Sequence, residues 1–273
     1  MNFTDKLLEA SRRNHSLVCV GLDPDPAQMP RGVGVFHFNQ AIIDATADMV
    51  CTYKLNFAVY EALGSRGRNI LKLTAGHVPV GIPVIGDAKR GDIGNTAKAY
   101  ARAIFDNLGF DATTVSPYLG LDSLQPFIEY RDKGIFVLCR TSNAGALDFQ
   151  SLRCEGESGP RQLFEVVAAK AAGWNTHGNI GLVVGATYPD ELKLIREGHP
   201  DMLLLIPGVG AQGGDLELTV RYGTDARGEK AIINSSRQII YASKGRDYAR
   251  AARLAAQTLR DQINYYRLTP PKM

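Results

Sequence analysis

The chain has 273 residues, of which 45% are hydrophobic and 22% are charged, a length that fits one large domain or two small ones. Its formal net charge of +3 argues against a dedicated nucleic-acid-binding protein, which usually carries a concentrated basic stripe. The N-terminal segment lacks the apolar run of a signal peptide, and no apolar window is long enough to span a membrane. We therefore expect a cytoplasmic protein.

Apolar, β-branched runs recur along the chain, and each run is followed by a helical pattern. The runs are continuous rather than alternating, which is typical of strands covered on both faces in a parallel sheet. The predicted strands are residues 17–22, 50–57, 82–89, 111–116, 134–140, 180–187, 202–208 and 231–236. Clear helical patterns occupy residues 95–108, 122–131, 161–176 and 245–266.

Eight strand–helix alternations predict an α/β fold in which residues 1–273 form a single (β/α)8 TIM-barrel domain. A doubly wound open sheet is the structural alternative, but no GxGxxG motif follows the first strand. Residues 143–160 are the longest irregular stretch, and residues 268–273 are predicted to be a flexible tail. In such barrels, active residues lie at the C-terminal ends of the strands.

The four cysteines, Cys19, Cys51, Cys139 and Cys154, show no CxxC spacing, and three lie in strand-like runs. We interpret them as buried thiols that pack as small hydrophobic side chains. The histidines show no pair with metal-ligand spacing beside a carboxylate, so no metal site is predicted.

The third predicted strand runs into an unusually charged segment. Residues two apart in a strand point the same way, so Asp87 and Lys89 are both expected to face the barrel mouth. Asp92 lies on the following turn, which Gly91 and Gly94 allow to bend tightly. A structural salt bridge at the barrel rim is the simplest interpretation of these charges, since two carboxylates and an ammonium so close together must pair.

The whole segment GDAKRGDIGNTA is more specific, because it resembles the signature D-x-K-x-x-D-[IV] of the orotidine 5′-monophosphate decarboxylase family. Further landmarks of that family follow in the right order and span residues 21–237: residues 21–23 (GLD), Lys54, residues 141–143 (TSN), residues 207–215 (PGVGAQGGD) and residues 235–237 (SSR). The chain length and the sequence of this segment resemble the longer bacterial branch of the family. Two positions depart from that branch, with Ala144 in place of a usual proline and Ser236 in place of a frequent glycine.

The resemblance implies decarboxylation of orotidine 5′-monophosphate to UMP and CO2, the last step of de novo pyrimidine synthesis, without metal or cofactor. Loss of CO2 leaves a carbanion at carbon 6 with no adjacent electron sink, so fixed charges must stabilise it. Lys89 would protonate carbon 6, and Asp87 and Asp92 would keep the Lys89 side chain positively charged. Lys54 would complete an arrangement in which lysines and aspartates alternate. The resemblance also implies a homodimer in which Asp92 and Thr96 act in the neighbouring subunit.

The same resemblance assigns the substrate-binding residues. The loops after strands seven and eight often bind phosphate in these barrels, and an arginine offers a forked cationic partner. Asp23 and Lys54 would hold ribose hydroxyls, and Ser142 would contact the pyrimidine edge. The remaining expected contacts are an apolar wall, a residue that bridges phosphate and pyrimidine, and the phosphate-binding arginine: Pro207 and Val209, Gln212, and Arg237.

Three other functions are compatible with parts of the pattern. A phosphosugar decarboxylase or epimerase would share the barrel and the phosphate site, and the former would need a divalent metal. A Schiff-base aldolase would need a neutral Lys54 or Lys89, which the neighbouring aspartates disfavour. A nucleotide-binding module without turnover would not need all four charged residues.

Overall fold

The computed structural model of the chain describes residues 1–155, 159–209 and 213–269. Within these ranges, eight parallel strands close into a barrel, in which the first strand pairs with both the second and the last. The predicted (β/α)8 barrel is confirmed, and each predicted run overlaps one barrel strand. The strands are β1 Val18–Gly21, β2 Thr52–Asn56, β3 Val84–Arg90, β4 Ala112–Val115, β5 Gly134–Arg140, β6 Ile180–Val184, β7 Leu203–Pro207 and β8 Ala231–Ser235.

Helices connect the strands and surround the barrel. They are α1 Phe3–Arg13, α2 Val35–Thr46, α3 Phe57–Glu61, α4 Gly67–His77, α5 Gly94–Arg102, α6 Leu121–Ile128, α7 Leu163–Trp174, α8 Pro189–Gly198, α9 Leu216–Gly223, α10 Arg237–Ile240 and α11 Tyr248–Leu268. Most of the predicted tail, residues 270–273, lies outside the described residues. No helix in the described part of the chain is both long and apolar enough to cross a membrane.

The strands bury side chains on both faces, as their continuous apolar runs predicted. In β1, Val18 and Val20 belong to the core cluster that includes Phe38 of α2, whereas Cys19 belongs to the cluster inside the barrel. This alternation follows from the two-residue period of a strand. Of the cysteines, Cys19, Cys51 and Cys139 are buried as predicted, while Cys154 is partly exposed.

Helix α1 covers the N-terminal end of the barrel. The Phe3 ring packs edge-to-face on Phe136 at a centroid distance of 5.7 Å. A Cβ atom at Gly134 would lie 2.5 Å from the Phe3 ring, so the close approach of α1 requires glycine there. Because this end is filled with apolar side chains, the polar groups of the barrel collect at the opposite end.

The segment after β5 was predicted to be irregular, and this prediction was wrong in part. A short 3-10 helix spans Ala144–Asp148, and Arg153–Cys154 pairs with Arg161–Gln162 as a small antiparallel sheet. Elements this short have too few residues to show a periodic apolar pattern, so the sequence did not reveal them.

Candidate active site

Strand β3 reaches the barrel mouth through a bulge. The four steps of β3 from Gly86 to Arg90 lie opposite only two steps of β4, from Thr113 to Val115. Inside this bulge Lys89 has a φ of 47°, a left-handed conformation that is uncommon for residues other than glycine. The bulge therefore redirects Lys89, and simple strand alternation, on which the prediction relied, does not describe its backbone.

A carboxylate lies between two ammonium groups at this mouth. Asp87 Oδ2 lies 3.0 Å from Lys54 Nζ, and Asp87 Oδ1 lies 2.6 Å from Lys89 Nζ. The Thr114 hydroxyl donates to Asp87 Oδ1 at 2.9 Å and accepts a hydrogen bond from the Lys89 backbone N–H, also at 2.9 Å. Thr114 thus holds both the carboxylate and the bulged backbone. Lys54 and Asp87 are only 5% and 8% exposed, whereas the Lys89 side chain is half exposed.

A second carboxylate approaches Lys54 from the end of β1. Asp23 Oδ1 lies 3.8 Å from Lys54 Nζ. The other oxygen, Asp23 Oδ2, lies 2.6 Å from the Ser236 hydroxyl, which is also 2.8 Å from the Gly21 carbonyl oxygen. A Cβ atom at Gly21 would lie 2.1 Å from Ser236 Oγ. Ser236, the departure from the family pattern, therefore joins the ends of β8 and β1 through a hydroxyl that glycine lacks.

The electrostatics of the buried pair favour both charges. Burial alone would lower the pKa of Lys54, but the negative charges of Asp23 and Asp87 outweigh it and raise that pKa above its usual range. Burial would raise the pKa of Asp87, but Lys54 and Lys89 outweigh it and hold that pKa well below its usual range. Each group is thus kept ionised by its neighbours, so Lys54 remains an ammonium at neutral pH and is not the free amine of a Schiff-base enzyme.

A cavity of about 640 Å³ opens at the C-terminal ends of the strands, directly above these charges. Most residues predicted for the site line it: Asp23, Lys54, Asp87, Lys89, Ser142, Pro207, Val209 and Arg237. Its size is typical of a small-molecule site. Gln212, another predicted contact, lies outside the described residues. Among the residues that the structure describes, no cluster of three or more histidine, cysteine or acidic side chains could hold a metal.

Asp92 and Thr96 do not line this cavity within the single chain. Asp92 follows β3 and accepts a hydrogen bond from the Ile93 N–H at 2.8 Å. Within residues 1–155, 159–209 and 213–269, Asp92 takes part in no salt bridge. Thr96 lies exposed in the first turn of α5. The single chain thus brings together three of the four predicted catalytic residues.

The sequence analysis missed several residues that build the cavity wall. Thr114 could have been found, because it lies two residues after the interior Ala112 and so faces the same way. The Tyr241 hydroxyl accepts a hydrogen bond from the Asp25 N–H at 2.5 Å. The Gln150 side-chain oxygen accepts a hydrogen bond from the Thr141 backbone N–H. Their partners are distant in sequence or lie in irregular backbone, so no periodic pattern marks them.

A closed parallel barrel with buried, mutually stabilised lysine and aspartate side chains below an open cavity is the architecture of a (β/α)8-barrel enzyme. Residues 16–252 match the family model described as orotidine 5′-phosphate decarboxylase / HUMPS. The chain therefore belongs to the orotidine 5′-phosphate decarboxylase / HUMPS family.

Individual relatives agree with this family over nearly the whole chain. The chain is 58% identical to orotidine 5′-phosphate decarboxylase of Dehalococcoides mccartyi strain CBDB1, over 98% of this chain and 99% of the relative. It is 52% identical to the enzyme of the same name from Ralstonia nicotianae, over 98% and 100%. A solved structure of OMP decarboxylase from Leishmania donovani is similar with a TM-score of 0.86 and 42% identity, over 98% of this chain and 100% of that one.

Proposed function

We propose that this chain decarboxylates orotidine 5′-monophosphate to UMP and CO2, the last step of de novo pyrimidine synthesis. The observation that carries the proposal is the ion-paired group Lys54–Asp87–Lys89 at the floor of the cavity, in a chain of this family. A cytoplasmic location is part of the proposal, since a charged nucleoside monophosphate does not cross a membrane unaided.

The proposed reaction needs a fixed positive charge where electrons collect. The bond between carbon 6 and the carboxylate breaks, CO2 leaves, and the electron pair stays on carbon 6. Lys89 then transfers one proton to that carbon, and the resulting neutral amine is reprotonated by water. Because Asp87 holds Lys89 Nζ at 2.6 Å, the ammonium is aimed before the substrate arrives, and its orientation costs little during the reaction.

The other predicted contact residues would hold the substrate. Asp23 and Lys54 would bind the ribose hydroxyls, and Ser142 would bind the pyrimidine edge. The rest of the proposed contacts are the apolar wall, the bridging glutamine and the phosphate-binding arginine, namely Pro207 and Val209, Gln212, and Arg237. Energy from these remote contacts can be realised at the reacting carbon, since they keep the carboxylate in place above the charged floor.

A homodimer would complete the site. Asp92 follows the active strand yet has no cationic partner in the described part of its own chain. Ile93 and Tyr118, in the loops after β3 and β4, are 57% and 85% exposed. These loops begin side by side, since a Cβ atom at Gly91 would lie 3.2 Å from Ser116 Cβ. An exposed apolar surface beside Asp92 supports a second copy there, which would receive Asp92 and Thr96.

The decisive test is turnover without metal. Purified protein is mixed with orotidine 5′-monophosphate and EDTA, and conversion to UMP is followed by the change in ultraviolet absorbance. We expect full activity in the chelator. Absence of turnover at micromolar enzyme, with or without added divalent metal, would reject the proposed reaction, whereas turnover only with metal would reject the metal-free mechanism.

The shared site has its own test, which uses two inactive variants. In a mixed dimer of Lys89→Ala and Asp92→Ala chains, one site would receive both native residues if Asp92 acts across the interface. Activity should then reappear on mixing after reversible dissociation. If Asp92 acts within its own chain, every site lacks one residue and mixing restores nothing.

A further inference from the structure

A network of hydrogen bonds lies in the wall of the cavity at the end of β5, where it joins the fully buried Arg140 to the cavity-lining residues Thr141, Asn143 and Gln150. Gln150 Oε1 accepts from the Thr141 backbone N–H at 2.8 Å and from Arg140 Nη1 at 3.4 Å. Gln150 Nε2 donates to Thr141 Oγ1 at 2.8 Å, and that hydroxyl donates to Asn143 Oδ1 at 2.7 Å. Thr141, Ser142 and Asn143 all line the cavity.

The donors to the Gln150 amide oxygen determine the direction of every other hydrogen bond in this network. A guanidinium can only donate, as can a backbone N–H, so both require the oxygen of the Gln150 amide. The nitrogen of that amide must then face Thr141 Oγ1, which accepts from it. The Thr141 hydroxyl proton is therefore directed to Asn143 Oδ1, and Asn143 keeps its amide N–H groups for other partners.

Arg140 holds the Gln150 amide from a rigid position. Its side chain is fully buried, and its guanidinium pairs with Glu191 of α8. The guanidinium also lies over the Tyr188 ring, 3.8 Å from the ring centroid. Contacts with a carboxylate, an aromatic face and an amide together leave the guanidinium little freedom to move.

The backbone at Ser142 is closely packed against the loop after β6. The Gly185 N–H donates to the Arg140 carbonyl oxygen at 2.7 Å. A Cβ atom at Gly185 would lie 2.8 Å from the Ser142 backbone nitrogen. The loop after β6 thus packs closely against Ser142 and limits the movement of its backbone.

We infer that Gln150, oriented by Arg140, is a positioning residue for base recognition: through Thr141 it sets where Ser142 and Asn143 present their polar groups to the pyrimidine. This inference rests on the proposed function. It assigns Gln150 no contact with the reacting atoms, so its effect should fall on the binding of the base and leave the ribose-phosphate contacts unchanged.

The test is Gln150→Glu, which preserves shape and the acceptor for Arg140 and the Thr141 N–H. It replaces the Nε2 donor by a carboxylate oxygen, so the Thr141 hydroxyl turns towards residue 150 and abandons Asn143. The readouts are KM and kcat for orotidine 5′-monophosphate, and the inhibition constant of ribose 5-phosphate, which lacks the base. Gln125→Glu, on the exposed face of α6, is the matched control for the added charge.

We expect Gln150→Glu to raise KM about tenfold, the effect of one misdirected hydrogen bond, while the ribose 5-phosphate constant changes less than about twofold. Thr141→Val, which removes the hydroxyl but keeps the shape, should raise KM similarly, and the Gln125→Glu control should match the parent. A KM equal to that of the parent in an active Gln150→Glu enzyme overturns the inference. Equal weakening of both ligands also overturns it, since that indicates general damage. Lack of turnover by the parent would instead reject the proposed function.

Discussion

Asp87→Asn isolates the energetic role of the carboxylate between the two lysines. The substitution keeps the shape of the side chain but removes its charge. It also replaces one carboxylate oxygen, which accepts from Lys54 or Lys89, by an NH2 group that can only donate. Asp87 is 8% exposed and Lys54 is 5% exposed, so water from the cavity can replace the lost acceptor only in part. We expect Lys54 to be left as an under-compensated buried cation, with only Asp23 nearby at 3.8 Å.

The distances in the site give the size of this effect. Two unit charges 3.0 Å apart, the separation of Lys54 Nζ and Asp87 Oδ2, attract by about 5 kcal/mol at an effective dielectric of about 20. Desolvation offsets part of that energy, but removal of one partner from a buried pair still costs about 3–5 kcal/mol. The contact with Lys89 adds little, because that side chain is half exposed and screened by water. We therefore expect the free energy of unfolding to fall by about 3 kcal/mol.

The pH dependence has a defined sign. The folded pKa of Asp87 is depressed, so its contribution is complete above the unfolded pKa of about 3.9 and is lost as the pH falls through the folded value. The folded pKa of Lys54 is raised, so its contribution is complete below the unfolded pKa of about 10.4 and is lost as the pH rises through the folded value. The difference between parent and variant should be constant from about pH 5 to about pH 9.

Urea unfolding followed by circular dichroism at pH 5, 7 and 9, at one protein concentration, measures this difference. The matched control is Asp48→Asn, since Asp48 pairs with Arg253 at 2.6 Å but its side chain is 60% exposed. The control should lose less than about 1 kcal/mol. If Asp87→Asn is no more destabilising than Asp48→Asn, or if its effect changes markedly between pH 5 and pH 9, the electrostatic argument is wrong.

Three further predictions concern other residues. Lys89→Ala should lower kcat by about a thousandfold or more with an unchanged circular dichroism spectrum, because its half-exposed side chain contributes little to the core; parental turnover would remove Lys89 from its role. Arg237→Ala should raise KM about tenfold or more with a smaller loss in kcat, and an unchanged KM would contradict the phosphate assignment. Arg196→Met should lower the free energy of unfolding by about 3 kcal/mol, since the buried guanidinium donates to the carbonyl oxygens of Gly223, Met202 and Lys230; a loss below about 1 kcal/mol in urea unfolding would contradict this role.

Local patterns in the sequence were enough to predict the barrel and the charged segment of its third strand. The strands appear as continuous apolar runs because both faces of a parallel barrel sheet are covered. Asp87 and Lys89 were found because they are close together in sequence and lie at the end of such a run. Lys54 and Asp23 were identified through the resemblance to the family, and the structure places Lys54 within β2 and Asp23 just after β1.

Tertiary structure alone decided how those side chains meet. The bulge in β3 depends on pairing with β4, and Thr114, which stabilises it, lies 25 residues from Lys89. The contact of Ser236 with Asp23 joins residues 213 apart. Hydrogen bonds and ion pairs depend on distances within a few ångströms, and closure of the barrel sets those distances between segments that no local pattern connects. The sequence by itself therefore determined the architecture and the candidate catalytic residues, whereas their geometry and positioning partners arose only from the folded chain.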